Sequence, residues 1–257
     1  MLFIGVDLAW SPKNNTGLAV MEGDEFGLRL TTLRLVKEDE DIIEHIHEAV
    51  HGKPVFIAID APLIVPNKKG RRKAEELVGY LFGQYEAGAH PANRERLSQW
   101  SGKVRGEHLV EQLQELNIKH DPYLKPLERT RKCFEVYPHP SMVVLFKLSR
   151  TLKYKAKPKR SYEDRWAEFS TYVEHLGNLK DLHLPAAITT TEVTTLKGRA
   201  LKDYEDKLDA VFCAYIAYYA WKHPKKCEVL GNMHEGYILT PVFQRKEKQL
   251  EEYFKKA

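Results

Sequence analysis

The sequence predicts an α/β protein: a mixed sheet, made of an antiparallel three-strand meander plus parallel strands, flanked by helices and carrying a helical insertion. Three observations predict it. Three β-type runs fall within the first 35 residues and are separated only by short turns, which makes a meander. An amphipathic helical stretch then precedes a further apolar strand, VFIAID, and a helix between strands usually makes the later strand parallel to an earlier one. Late in the chain, residues 203–222 read as a long apolar helix with a face of small residues that permits close packing on a sheet. The 257 residues are read as one domain, 1–257, with the insertion at 67–130.

The elements follow in order. Residues 2–7, LFIGVD, are almost continuously apolar, as a central strand requires. SPKNNTG is a polar turn rich in breakers, and GLAVME (17–22) is the second strand. Gly23-Asp24 turns the chain into a third strand at 26–35, whose leucines only partly alternate. Residues 39–51 start with acids and place Ile42, Ile43, Ile46 and Val50 at helical spacing, with Gly52 closing the helix. Residues 62–130 are polar, basic and broken by Gly and Pro. Helical spacing appears there at 72–84 and 106–117, with a mobile loop expected at 86–104. RKCFEVYPHP gives a short strand ending near Glu135 to Tyr137. Residues 141–149 and 162–176 read as helices on either side of the basic stretch KYKAKPKRS, and 179–200 carries no readable pattern. In the 203–222 helix, Leu208, Val211, Phe212, Tyr215 and Tyr219 form one face, and Ala210, Ala214 and Ala217 the small one. A final hairpin is expected from 228–231 and 236–239, followed by an exposed helical tail.

Composition bounds the function class loosely. A net charge of +4 admits an anionic partner without demanding one. Two basic clusters, Lys68, Lys69, Arg71, Arg72, Lys73 and Lys153, Lys155, Lys157, Lys159, Arg160, read either as phosphate-backbone contacts or as solvated loops. The three cysteines, Cys133, Cys213 and Cys227, show no metal spacing and fit a reduced cytoplasmic protein. No apolar run approaches the ~20 residues that span a bilayer, so no membrane partner is expected.

The informative residues are acids. Asp7 and Asp60 each end a buried strand. If those strands are parallel neighbours, the two carboxylates meet where loops leave the sheet. Asp206 and Asp209 are three apart and share a face of the late helix, which can bring them to the same spot. Each acid alone has an ordinary explanation; the helix pair, for instance, would suit a helix N-terminus. Four together repel one another unless cations intervene. Mg²⁺ or Mn²⁺ suits such oxygen ligands, and two ions roughly 3.5–4 Å apart would activate water and steady a leaving oxygen.

The segments GVDLAW, IDAPL, EVYPHP and DKLDAVFCAYIA resemble the "domain of unknown function 429" family, a predicted nuclease family with a ribonuclease H-like fold; the likeness covers roughly residues 2–240. The late Asp-x-x-Asp pair is also similar to that of the Holliday-junction resolvase branch. The resemblance implies a metal-dependent phosphodiester hydrolase acting on nucleic acid, with Asp7, Asp60 and Asp209 as direct metal ligands. It makes Asp206 a fourth ligand or a neighbour of the ligands. Glu135 in EVYPHP would approach the metals or pair with a basic residue of the insertion. His139 would shuttle a proton, touch phosphate, or serve the structure alone. Arg71, Arg72 and Arg94 are the candidate phosphate contacts, because guanidinium binds phosphate as a fork. Trp10 and Trp100 are candidates to stack on bases, with burial the other reading of Trp10. Two other classes stay open. One is an actin-like phosphotransferase, which the GVDLA…TG start resembles although the second phosphate hairpin and Gly-rich adenosine motif are missing. The other is a binding protein that has kept the fold and lost the chemistry. DNA against RNA against a small phosphoester, and the oligomeric state, are not legible.

Overall fold

The computed structural model describes residues 1–11, 13–100, 102–243, 249, 250 and 253. The meander is β1 (Leu2–Asp7), β2 (Thr16–Gly23) and β3 (Leu28–Val36). Helix α1 (Asp39–Val50) carries Asp39, Glu40 and Asp41 in its first turn, where acids favour the helix dipole. It stops where His51 turns left-handed ahead of Gly52. Strand β4 (Val55–Ile59) then runs parallel to β1 in the register Leu2 to Val55 through Val6 to Ile59. Asp7 and Asp60 follow those last partners and so leave the sheet side by side.

Segment 67–130 supplies α2 (Lys73–Phe82), α3 (Arg94–Leu97), α4 (Arg105–Glu115) and the two-residue β5 (Lys119–His120). Helix α3 lies within 86–104, where the sequence predicted a loop. After these come β6 (Arg131–Glu135), α5 (Pro138–Leu145) and α6 (Tyr162–Gly177). Helix α5 starts earlier than its spacing suggested, because Pro138 suits a first helical position that needs no N–H donor. Ser161 and Asp164 form the capping box that opens α6. The unread stretch holds β7 (Leu182–His183), the short α7 (Ala186–Thr189) and the start of α8 (Gly198–Lys222), five residues before the predicted boundary. The hairpin β8 (Cys227–Asn232) and β9 (Gly236–Pro241) completes the described elements. The predicted tail helix falls almost wholly outside the described residues.

Seven strands form one sheet in the order β5-β6-β4-β1-β2-β3-β7. The pairings make β2 the one strand of this sheet that runs against the others. This is a mixed α/β sheet with an antiparallel meander at its centre, as expected of a ribonuclease H-like fold. Alternate residues of each strand serve opposite faces. Ile4, Val6, Ile57 and Ile59 pack with Ile42 and Ile46 of α1 and Leu109 and Leu113 of α4. Helix α4 therefore belongs to the covering layer of the sheet although it lies inside the segment that the sequence predicted to be an insertion. Phe3, Met21, Phe56 and Phe134 face α8, and Phe3 stands edge-on to Tyr218 with ring centroids 5.2 Å apart. Among the described residues no helix is long and apolar enough to cross a membrane.

Helix α8 lies unusually close to the sheet, and two glycines explain it. A Cβ on Gly5 would collide with the Ala210 carbonyl oxygen and the Ala214 nitrogen. A Cβ on Gly17 would collide with the Asp206 carbonyl oxygen and meet the Ala210 methyl at 3.0 Å. With glycines on the sheet and alanines on the helix, backbone rests on backbone. That contact carries Asp206 and Asp209 to the end of β1.

Candidate functional site

A cavity of about 450 Å³ opens at the ends of β1 and β4. Its floor holds Asp7, Asp60 and Asp206; its walls include Trp10, Tyr137, His139, Lys153, Lys155, Lys157, Arg160 and Lys202. One wall is knitted together: the Thr151 N–H donates to the Tyr85 carbonyl at 2.8 Å, and Lys153 pairs with Glu86 at 2.7 Å. Asp209 lies beneath the floor with no exposed surface. The Tyr154 and Tyr172 hydroxyls donate to its Oδ1 at 2.7 and 3.2 Å. Its Oδ2 faces the Lys155 ammonium at 2.8 Å, outside hydrogen-bonding direction.

Both α8 acids sit about two turns or more inside the helix, which begins at Gly198, so the helix dipole does not account for them. Their charge is met by side chains instead. Lys202 Nζ reaches Asp206 Oδ1 at 2.6 Å and Glu205 Oε1 at 2.7 Å. Glu205 Oε2 lies 3.6 Å from Arg165 and accepts no hydrogen bond among the described residues.

The electrostatics separate the acids. Burial pushes Asp7 well above the usual carboxylate range; Lys155 pulls it down, and Asp209, Asp60 and Asp206 push it up further. Burial lifts Asp60 to about 7 against the pull of Lys155. Asp206 is raised by burial, partly offset by Lys202. Asp209 goes the other way: burial would raise it, but Lys155 and the Tyr154 hydrogen bond hold it below its ordinary value. Burial disfavours the Lys155 ammonium, yet Asp209, Asp7 and Asp60 keep it well above the usual lysine pKa.

Oxygen-only donors suit a hard divalent cation, and three crowded carboxylates with raised pKa values gain from one. Asp7, Asp60 and Asp206 would hold it, since they line the cavity whereas Asp209 lies beneath it, engaged by two tyrosines and a lysine. Among the described residues no three acidic, His or Cys side chains are already drawn around an ion-sized gap.

The other predicted residues fall in three places. His139 faces the cavity, with Nδ1 2.9 Å from the Thr151 hydroxyl. Burial, with Lys155 nearby, pushes its pKa down to about 3, so at neutral pH it offers a phosphate no positive charge. Glu135 and Arg72 form a buried ion pair with each other, the second of the two roles expected for Glu135. Arg72 Nη1 and Nη2 donate to Glu135 Oε2 and Oε1 at 2.9 and 2.6 Å. Nε and Nη2 donate to Glu75 Oε1 at 2.8 and 2.6 Å, and Nη1 also donates to the Ile64 carbonyl at 2.8 Å. All five guanidinium N–H groups are thus used, and Arg72 has no donor left for a phosphate. Arg94 is exposed and pairs with Glu107 at 2.7 Å, away from the cavity; Arg71 is exposed and does not line it either. Trp10 lines the cavity under the Arg96 guanidinium, 5.2 Å from its ring, while Trp100 is exposed elsewhere.

Lys155, Lys202, Tyr154 and Tyr172 complete the site, and the sequence reasoning did not single them out. Lys202 was readable, standing three and four residues before Glu205 and Asp206 on one helix face. Lys155 was visible only as a member of a basic run. The tyrosines carry no local signal, because their partner Asp209 is far away in sequence.

No curated protein matches the chain significantly. One family model does match, over residues 5–233, from the middle of β1 to the turn of the final hairpin. With so much of its length matched, the chain belongs to the family described as "Protein of unknown function (DUF429)".

Proposed function

We propose that this protein is a divalent-metal-dependent phosphoester hydrolase of nuclease type. One observation carries the reading: Asp7, Asp60 and Asp206 converge from two parallel strand ends and a helix onto the floor of a cation-walled cavity. Carboxylates at the floor suit Mg²⁺ or Mn²⁺, and lysines at the wall suit the phosphate of a substrate. Bound at those acids, the ion supplies Lewis-acid polarisation of a phosphoryl oxygen and a water of lowered pKa.

The chain's own residues do the rest. Lys157 and Arg160 draw an anionic ester towards the floor. Trp10 and Tyr137 offer flat surfaces on which a base can stack. Neutral His139, with Nδ1 on Thr151, keeps its other ring nitrogen for a hydrogen bond to a polar group in the cavity. The cavity volume suits a nucleotide-sized ester or a single-stranded segment.

The test is a cleavage assay. Labelled single-stranded, double-stranded, hybrid and branched nucleic acids and bis(p-nitrophenyl) phosphate are offered with Mn²⁺, Mg²⁺ or EDTA, beside an Asp7→Asn variant. Metal-dependent product that disappears in the variant is expected. No product on any substrate would leave the binding-protein reading in its place, and equal product from the variant would point to a contaminating nuclease.

A further inference from the structure

Five carboxylates lie at or beneath the floor, Asp7, Asp60, Asp206, Asp209 and Glu205, while Glu86 in the wall is paired with Lys153. Three cations stand against them. Lys155 faces Asp209 at 2.8 Å, Lys202 bridges Asp206 and Glu205, and Arg165 lies 3.6 Å from Glu205. Fully ionised, these contacting groups are left with two negative charges, which one divalent ion neutralises, while Lys157 and Arg160 in the wall add further positive charge. A second ion would leave an excess of positive charge at the floor before any substrate arrives, in a cavity whose wall is already cationic, and like charges crowded together repel.

Lys155 is built into this place rather than resting there. The Arg165 Nε–H donates to the Tyr154 carbonyl at 2.9 Å, and Arg160 Nη1 donates to the Lys155 carbonyl at 2.6 Å. The Tyr154 hydroxyl is bonded to the same aspartate that Lys155 faces. Two arginines therefore hold the backbone on either side, and Asp209 holds the head groups of two adjacent residues. The lysine is only half-buried, so its ammonium borders both the buried Asp209 and the open cavity.

We infer that Lys155, anchored by Asp209, is the resident second cation of the site, so that one divalent ion binds at Asp7, Asp60 and Asp206 instead of the two expected from the sequence. This rests on the metal-dependent reading above. Lys155 places a fixed charge between Asp209 and the cavity, and Asp209 would be its anchor and not a ligand. A lysine in that position also meets the incoming phosphate, which a carboxylate-only site would repel until both ions had loaded.

The experiment counts ions without using activity. Mn²⁺ is titrated into the wild-type protein and into Lys155→Met and Lys155→Arg variants, by calorimetry for stoichiometry and by electron paramagnetic resonance for coupling between ions. Circular dichroism and a melting curve confirm the fold of each. Wild type and Lys155→Arg are expected to bind one Mn²⁺ per chain with the six-line spectrum of an isolated ion. Lys155→Met is expected to bind a second ion with an exchange-coupled spectrum, or the first at least tenfold more tightly. Two coupled ions in the wild type overturn the inference while leaving the metal reading intact. One ion of unchanged affinity in wild type and Lys155→Met also overturns it. No Mn²⁺ bound by any folded form overturns the metal reading and this inference together. If Lys155→Met does not fold, the wild-type and Lys155→Arg counts still decide between one ion and two.

Discussion

Replacing Arg72 by methionine tests whether that residue holds the fold together or contacts substrate. The Arg72 guanidinium makes five hydrogen bonds, four of them to the carboxylates of Glu75 and Glu135. All three side chains are almost completely buried. Methionine fills much of the volume but leaves two carboxylates in the interior, with only the Leu63 N–H on Glu135 and the backbone donors on Glu75 to compensate. Breaking a buried ion pair from one side costs about 3–5 kcal/mol, whereas an exposed pair contributes about 0–1 kcal/mol. With a urea slope of about 2–3 kcal/mol per M, the unfolding midpoint should fall by about 1–2 M. The deficit should also depend on pH. Burial already raises the Glu135 pKa, and Arg72 is the main influence pulling it back. Without Arg72 the folded value rises further above the unfolded one, so ionisation costs more stability as pH rises through that interval. Urea unfolding at pH 8 and pH 5 should therefore show a larger loss at pH 8. A loss under about 1 kcal/mol, or one equal at both pH values, would refute the buried-charge argument. An unchanged midpoint with weakened substrate binding would restore Arg72 as a phosphate contact.

Three more outcomes are expected. Gly5→Ala forces a methyl into the backbone of α8, so it should cost at least about 2–3 kcal/mol in urea unfolding and abolish any activity of the displaced acids; an unchanged midpoint would mean that the helix does not rest on the strand there. Asp7→Asn removes a carboxyl whose folded pKa is raised, and ionising such a group costs stability as pH rises. The variant should therefore melt higher than wild type at pH 8 and about equally at pH 4, and a lower melting temperature at pH 8 would contradict the crowding of the acids. His120, bonded to the Tyr237 hydroxyl at 2.8 Å, has its pKa pushed down to about 4 by burial. Below the unfolded value near 6.5 the unfolded chain takes up the proton first, so His120 alone should cost about 2 kcal/mol between pH 7.5 and pH 5, and His120→Gln should shift the wild-type slope by that amount.

The sequence by itself determined the order of the longer elements and two of the converging acids. The continuous apolar runs of β1 and β4 could only be central strands. The helix between them pointed to parallel strands, and if they are parallel neighbours, an acid immediately after each run emerges at the same edge, as the pairing of β1 with β4 shows. The long helix was legible from its alanines and aromatics, although its first turn was missed because Gly198 and Arg199 carry no apolar signal. Two-residue strands such as β5 and β7 have no periodicity to read, and their pairing with longer neighbours creates them.

What only the tertiary structure decided is which charge meets which. Arg72 and Glu135 are 63 residues apart, and Tyr154 and Asp209 are 55 apart. In the sequence, Arg72 stands in a basic cluster and Lys155 in another, so both looked equally available to phosphate. Folding buries the first against two glutamates and aims the second at the floor of a cavity. Residue type states that a side chain carries a charge. The neighbours that desolvate and neutralise it come from distant parts of the chain, and they decide whether the charge holds the fold or serves the site.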